Sequence, residues 1–248
     1  MAYTGGMRIR FLAVVLALAA VPAVAGEYFI PAVAQLKGVD GAYWNTELWV
    51  VNSGENQGSY ALTFLPSRRN NARRLLEEGE VHTLGPHQSV HLRDVVPVGR
   101  VGALRVVTSP DVLVQCRLFN ASRSGSVGQM VPALTVGEMI QPGERALLFP
   151  LVRSPRFRTN VGFFNPNPNA IEVVATVLDG EGRRISRVTY HLEPGEQAQV
   201  NDVLLAFKVE RSEGHQMMVE AEGAFAAYAS LVDNRSGAPT LVQPIPLR

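Results

Sequence analysis

Trp44-Asn45-Thr46-Glu47-Leu48-Trp49-Val50-Val51-Asn52 decides the reading of this chain, because it returns as Phe157-Arg158-Thr159-Asn160-Val161-Gly162-Phe163-Phe164-Asn165. Successive side chains on a strand point to opposite faces. Trp44, Thr46, Leu48 and Val50 therefore point toward a core, as do Phe157, Thr159, Val161 and Phe163. Asn45, Glu47, Trp49 and Val51 point outward. Trp49 and Phe164 become large apolar groups on an outer face. They either pack under a crossing strand or between domains, or they form a ligand-binding surface.

Other blocks recur in the same order on both sides of this one. Phe29-Ile30-Pro31-Ala32-Val33 returns as Leu148-Phe149-Pro150-Leu151-Val152, and Leu84-Gly85-Pro86 as Leu192-Glu193-Pro194. Leu92-Arg93-Asp94-Val95-Val96 returns as Val200-Asn201-Asp202-Val203-Leu204, and Leu118-Phe119-Asn120 as Val232-Asp233-Asn234. Ordered recurrence marks an internal repeat. The expected division is a domain at 27–134, a linker at 135–145 and a second copy at 146–248.

The second copy reads as short strands near 146–152, 158–165, 171–179, 184–192, 197–203, 215–221, 224–233 and 239–245. Asp179-Gly180 and Glu193-Pro194-Gly195 mark turns between them. No window holds a helical period over three turns. The 22 glycines and 16 prolines suit tight connections. The expected fold class is all-β, two tandem domains of about eight short strands each, built as a sandwich or barrel.

Arg8 and Arg10 precede the apolar run Phe11 to Val21, which is followed by Pro22-Ala23-Val24-Ala25. This is a signal-peptide pattern with cleavage near Ala25, and it implies a secreted or periplasmic mature chain. A membrane anchor is the competing reading, but the run is well short of the roughly 20 residues that span a bilayer. Nothing in the mature chain reads as a transmembrane span. Export permits disulfides, yet Cys116 is the one cysteine. Inside Val112 to Phe119 it reads as a buried thiol rather than a reactive or dimer-forming one.

Several of these phrases, together with Gly102-Ala103-Leu104-Arg105-Val106, Gly128-Gln129-Met130-Val131-Pro132 and Tyr228-Ala229-Ser230-Leu231-Val232-Asp233-Asn234, carry a resemblance. They are similar to tandem immunoglobulin-like β-sandwich units of large, uncharacterised secreted bacterial proteins. The resemblance covers nearly all of the mature chain. It implies fold and export but no chemistry. The chain departs from it at Cys116, where a small hydroxyl residue is expected.

Catalytic signatures are hard to find. His87 and His91, with His82 nearby, lie four apart on a strand and so about 13 Å from one another, too far to share a metal. Ser124-Gly125-Ser126-Val127-Gly128 lacks the first glycine of a nucleophile elbow. Asp94 and Asp202 each end a strand and read as turn residues. No cofactor or metal is expected. A net charge of +1 offers no field for nucleic acid.

What remains points to contact. Ten residues separate Val33 from Trp44 but four separate Val152 from Phe157, so the first copy carries an insertion, Gly38 to Tyr43. Tyr43 beside this loop and Trp49 on the outer face form one candidate surface. Arg68, Arg69, Arg73 and Arg74 on an expected hairpin tip form another, and Arg153, Arg156 and Arg158 a further basic group. The leading expectation is a non-enzymatic envelope or extracellular module that binds another protein or assembles with itself. A carbohydrate-binding module and a hydrolase with an interdomain site are the alternatives.

Overall fold

The computed structural model describes residues 26–38, 42–122 and 125–247. The expected signal peptide lies outside these residues, as do Val39, Asp40 and Gly41 of the insertion. In chain order the first part forms β1 (Gly26–Lys37), β2 (Tyr43–Asn52), β3 (Gly58–Pro66), α1 (Ala72–Leu75), β4 (Val81–Leu84), β5 (Ser89–Leu92), β6 (Arg100–Thr108), β7 (Val112–Ser122) and β8 (Gly125–Val131). A short 3-10 turn at Val136–Glu138 follows. The second part forms β9 (Arg145–Arg153), β10 (Phe157–Phe164), β11 (Ile171–Leu178), β12 (Arg184–Leu192), β13 (Gln197–Val200), α2 (Val203–Ala206), β14 (Ser212–Ala221), β15 (Ala226–Asp233), β16 (Pro239–Val242) and β17 (Ile245–Leu247).

The molecule is thus mostly β, with sandwich-like sheets. Every ladder between named strands runs within 26–131 or within 145–247. In the second half the strands stack as two sheets, β12-β11-β14-β9-β17 and β13-β10-β15-β16. The first half orders its strands alike, β4-β3-β6-β1 and β5-β2-β7-β8, but joins them into one eight-stranded sheet. The long strand β1 is the reason. It pairs with β6 along most of its length, and its far end pairs with β2 through Leu36↔Trp44 and Lys37↔Tyr43. The result is a half-barrel where two separate layers were expected.

Buried side chains tie the layers at matching places. The Thr46 hydroxyl bonds both backbone groups of Ala34, at 2.8 and 3.0 Å, and joins β2 to β1. The Thr159 hydroxyl does the same to Val152, at 2.9 and 2.8 Å, and joins β10 to β9. Asp94 and Asp202 both take left-handed backbone angles. Each accepts its bond from a side chain on the first strand, Gln35 for Asp94 and Arg153 for Asp202.

These pairs correct the expected alignment by one residue. Ile30 pairs with Leu104 and Val33 with Gly102; Leu148 pairs with Met217 and Leu151 with His215. Both strands bulge at this point, and Leu148 corresponds to Ile30 rather than to Phe29. Pro31 and Pro150 are therefore not equivalent. Both sit in the bulge, where a missing N–H leaves no ladder bond unmade. The same kind of slip occurs later: Trp44 faces Asn120 while Phe157 faces Asp233, so Asn234 is not the counterpart of Asn120.

Separate apolar clusters fill each half and the seam between them. One cluster, including Leu148, Phe163, Val173 and Val219, fills the second half. Another, including Ile30, Leu48, Leu104 and Cys116, fills the first and takes in Tyr228 of β15. Between them Phe29, Leu65, Ala103, Met139, Phe164 and Ala226 form a third. Phe164 is fully buried with its ring 5.3 Å from that of Phe29, which is the packing between halves expected of an outward aromatic.

Candidate functional site

Outward residues of β2, β5 and β7 build a polar and aromatic platform. Register sets Trp49 opposite His91 on one side and Gln115 on the other, and Glu47 opposite Arg117. The Trp49 and His91 rings stack at 4.7 Å with planes 5° apart. Glu47 accepts from His91 Nε2 at 3.0 Å and from Arg117 Nη1 at 3.1 Å. Arg117 also lies 4.8 Å over the Phe119 ring and donates to Ser126. These neighbours cover the carboxylate, so Glu47 is 7% exposed although its strand face looks outward. Cys116 lies on the opposite face of β7. Burial, then the Glu47 charge, push its thiol well above the usual range.

The platform leaves apolar surface open. Trp49 is 37% exposed, Leu113 51% and Met130 47%. Unlike Phe164, which packs between the halves, Trp49 stacks on the His91 ring of its own sheet and stays partly exposed. His91, weighed above as a metal ligand, is instead part of this platform. His82 stacks on Tyr60 and His87 pairs with Glu55. Sequence reasoning singled out Trp49 but missed Glu47, Arg117, Leu113 and Met130. Alternation placed Glu47 outward beside Trp49, and the other three become its neighbours only through strand register.

Tyr43 does not join this group. It stands at the start of β2, six residues and about 20 Å from Trp49, where the Asn120 side chain receives its N–H at 2.9 Å.

The Arg68, Arg69, Arg73 and Arg74 segment is not a free hairpin tip. The β3–β4 connection folds over the second half as a strap. The Arg68 N–H donates to Gln197 O at 2.9 Å, the Ser67 hydroxyl to the same oxygen, and the Asn71 N–H to Pro194 O at 2.7 Å. The buried Asn71 amide donates to Gly195 O. The acceptors are carbonyls of the turn at Glu193-Pro194-Gly195-Glu196 and of Gln197 just after it, so the strap supplies donors to backbone groups. Arg73 pairs with Glu77. Arg69 and Arg74 line an open cleft of about 430 Å³ with Arg100, Phe64, Pro66 and Pro97. Of the second basic group, Arg153 bonds Asp202, Arg156 bonds Asp233 and Arg158 bonds Asn234.

A narrow cavity of about 140 Å³ runs along the seam, lined by Pro31, Val131, Met139, Ile140 and Tyr228 among others. Its two acids are turn caps: Glu138 accepts from Thr135, and Glu144 from the Gln141 N–H. Elsewhere Ser212 and His215 are 2.6 Å apart. That hydroxyl is buried, bonds Leu151 O and accepts the Gly214 and His215 amides, so it serves a strand irregularity. Among the described residues no cluster of three or more His, Cys, Asp or Glu could hold a metal, and no helix is long and apolar enough to cross a membrane.

No protein-family model matches the chain, and no curated protein matches it. Among solved structures it is similar to Bacteroides uniformis beta-glucuronidase 2 covalently bound to cyclophellitol-6-carboxylate aziridine, at 9% identity and a TM-score of 0.17, over 82% of this chain and 24% of that one. A calcium-binding mutant of that enzyme gives 11% identity and a TM-score of 0.19, over 90% and 26%. The chain spans about a quarter of those structures. Likeness this slight carries no argument about activity.

Proposed function

We propose that this chain is an exported, non-enzymatic module of two immunoglobulin-like units that docks another protein through the outer face of β5, β2, β7 and β8. The observation that carries it is the Trp49 platform. A rigid indole stacked on His91, a guanidinium held by a covered carboxylate, and open Leu113 and Met130 make the Trp, Arg and Met composition of protein contact surfaces. The matching strand orders and the matching Thr46 and Thr159 bonds support two copies of one unit. In each, the second, seventh and eighth strands neighbour one another as C, F and G do in an immunoglobulin fold, and the first, sixth and third as B, E and D. The fourth and fifth strands are additions to that plan. The Arg8 to Ala25 pattern supports export.

A photoreactive residue at Leu113 tests the docking face. It is expected to crosslink the mature chain to a protein of the envelope or secreted fraction, and Trp49→Asp to abolish the adduct. Absence of any protein adduct sinks the proposal.

One observation favours a second reading, an acidic glycan as ligand. Arg69, Arg74 and Arg100 share a cleft in which no acid takes part in the lining, and guanidinium groups suit carboxylate and phosphate. Retention of acidic but not neutral polysaccharides, lost in an R69A/R74A/R100A chain and kept in Arg73→Ala, would support it. Equal binding by both variants would remove it.

A further inference from the structure

We infer that copies of this chain join head to tail, the Trp49 face of one covering the outer face of the β12-β11-β14-β9-β17 sheet of the next. The inference rests on the reading of the Trp49 face as a contact surface and names its partner.

One joint of this kind already exists within the chain. At one end the outer face of β10 and β15 meets the outer face of β1, β3 and β6, through Phe164 and Ala226 against Phe29, Leu65 and Ala103, while Tyr228 packs into the cluster of Ile30 and Val131 and Ser230 bonds Gln129 of β8. The two surfaces of that joint recur at the two ends of the molecule. On β2 and β7, Val51 stands opposite Leu113 as Phe164 stands opposite Ala226. Trp49 stands opposite Gln115 as Gly162 stands opposite Tyr228, the bulk moved from one strand to the other. In the buried case Tyr228 fills the space over Gly162 so closely that a Cβ there would lie 2.1 Å from its ring.

The complementary surface recurs as well. Ile30 and Leu148 are inward partners of Leu104 and Met217, so the residues before them, Phe29 and Leu147, look outward. Phe64 and Val177 face the same two partners, so Leu65 and Leu178 look outward after them. Leu147 and Leu178 thus hold the places of Phe29 and Leu65. Beside Leu147, β17 adds Ile245 at 52% exposure and Leu247 at 39%.

Each of these faces lies on the far side of its own sandwich from the internal joint, so one chain cannot bring them together. A second copy can. The two surfaces differ, so the contact is heterologous and builds rings or open filaments rather than a closed pair.

Sedimentation of the mature full-length chain tests this. Wild type is expected to form species beyond a dimer as concentration rises. Leu113→Asp disables one face and Ile245→Asp the other, and each alone weakens association at least about tenfold, which is roughly 1.4 kcal/mol per joint. Both sites are exposed, and unchanged melting shows that the variants fold. Mixed together, the two variants pair through their remaining faces and stop at a heterodimer. Wild type that stays monomeric overturns the inference. So does a dimer that survives Ile245→Asp, which would mark a symmetric Trp49-to-Trp49 contact, or a mixture that yields no heterodimer. A Trp49-dependent protein adduct at Leu113 alongside a monomeric wild type would leave the docking face standing and remove only the self-association.

Discussion

The side-chain amides of Asn52 and Asn165 make matching bonds to matching turns. Asn52 Nδ2 contacts the carbonyls of Asn56, Leu84 and Gly85, and Asn165 Nδ2 those of Asn169, Leu192 and Glu193. Each Oδ1 receives the amide two residues on, from Gly54 and from Asn167. Both side chains are buried. Asn165→Ala is expected to cost about 2–3 kcal/mol, because buried carbonyls lose their donor. Asn165→Asp is expected to cost more, since a carboxylate can only oppose them. Urea denaturation reads both, and Asn52 variants should behave alike.

Gly195 has φ +63°, and a Cβ there would lie 2.9 Å from that of Asn71. Gly195→Ala therefore meets both backbone strain and the strap. A loss of about 1–3 kcal/mol is expected, with faster hydrogen exchange at Asn71 and Gln197. Exchange unchanged in the strap would show that it is not held by this turn.

Glu47 is the hub of the Trp49 platform. Glu47→Ala leaves Arg117 and His91 without their shared acceptor and is expected to cost about 1–2 kcal/mol, moderated by the partial exposure of both. Glu47→Gln should cost less. Near-ultraviolet circular dichroism should report the loosened indole.

Burial, with the Glu47 charge adding to it, raises the Cys116 thiol far above the ordinary range. Thiolate is the reactive form, so a disulfide reagent at pH 8 should label Cys116 only at the rate at which the chain opens. Rapid labelling of native protein would contradict the packing of β7.

His191 bonds Glu172 at 2.8 Å and Glu193 at 3.3 Å, and these bonds raise its pKa above 6.5 against a smaller opposing effect of burial. Its contribution to stability is full below that ordinary value and disappears as pH climbs through the raised one. The gap in melting temperature between wild type and His191→Asn should be widest in mild acid and close in alkali. A gap that widens with pH would reverse the assignment.

Much of this was legible in the chain. Alternation in Trp44 to Asn52 placed Thr46, Leu48 and Val50 inside, where they are buried. The strands expected in the second copy lie within a few residues of those observed. The candidate site was legible in part: Trp49 was found, while Tyr43 stands about 20 Å from it along β2. The strap was missed because nothing local in Ser67 to Asn71 says that the Glu193 turn will sit beside it.

The sequence by itself determined what depends on near neighbours: strand faces, turns at Gly and Pro, and the paired Asn52 and Asn165 blocks, since side-chain alternation and turn geometry act over a few residues. Only the tertiary structure decided what depends on register and docking. It slipped the proline blocks by one residue through the bulges, and it curled β1 between two layers. It buried Phe164 against Phe29 while leaving Trp49 open. These outcomes follow from which surfaces meet, and contacts between distant residues carry no mark in the local pattern of either.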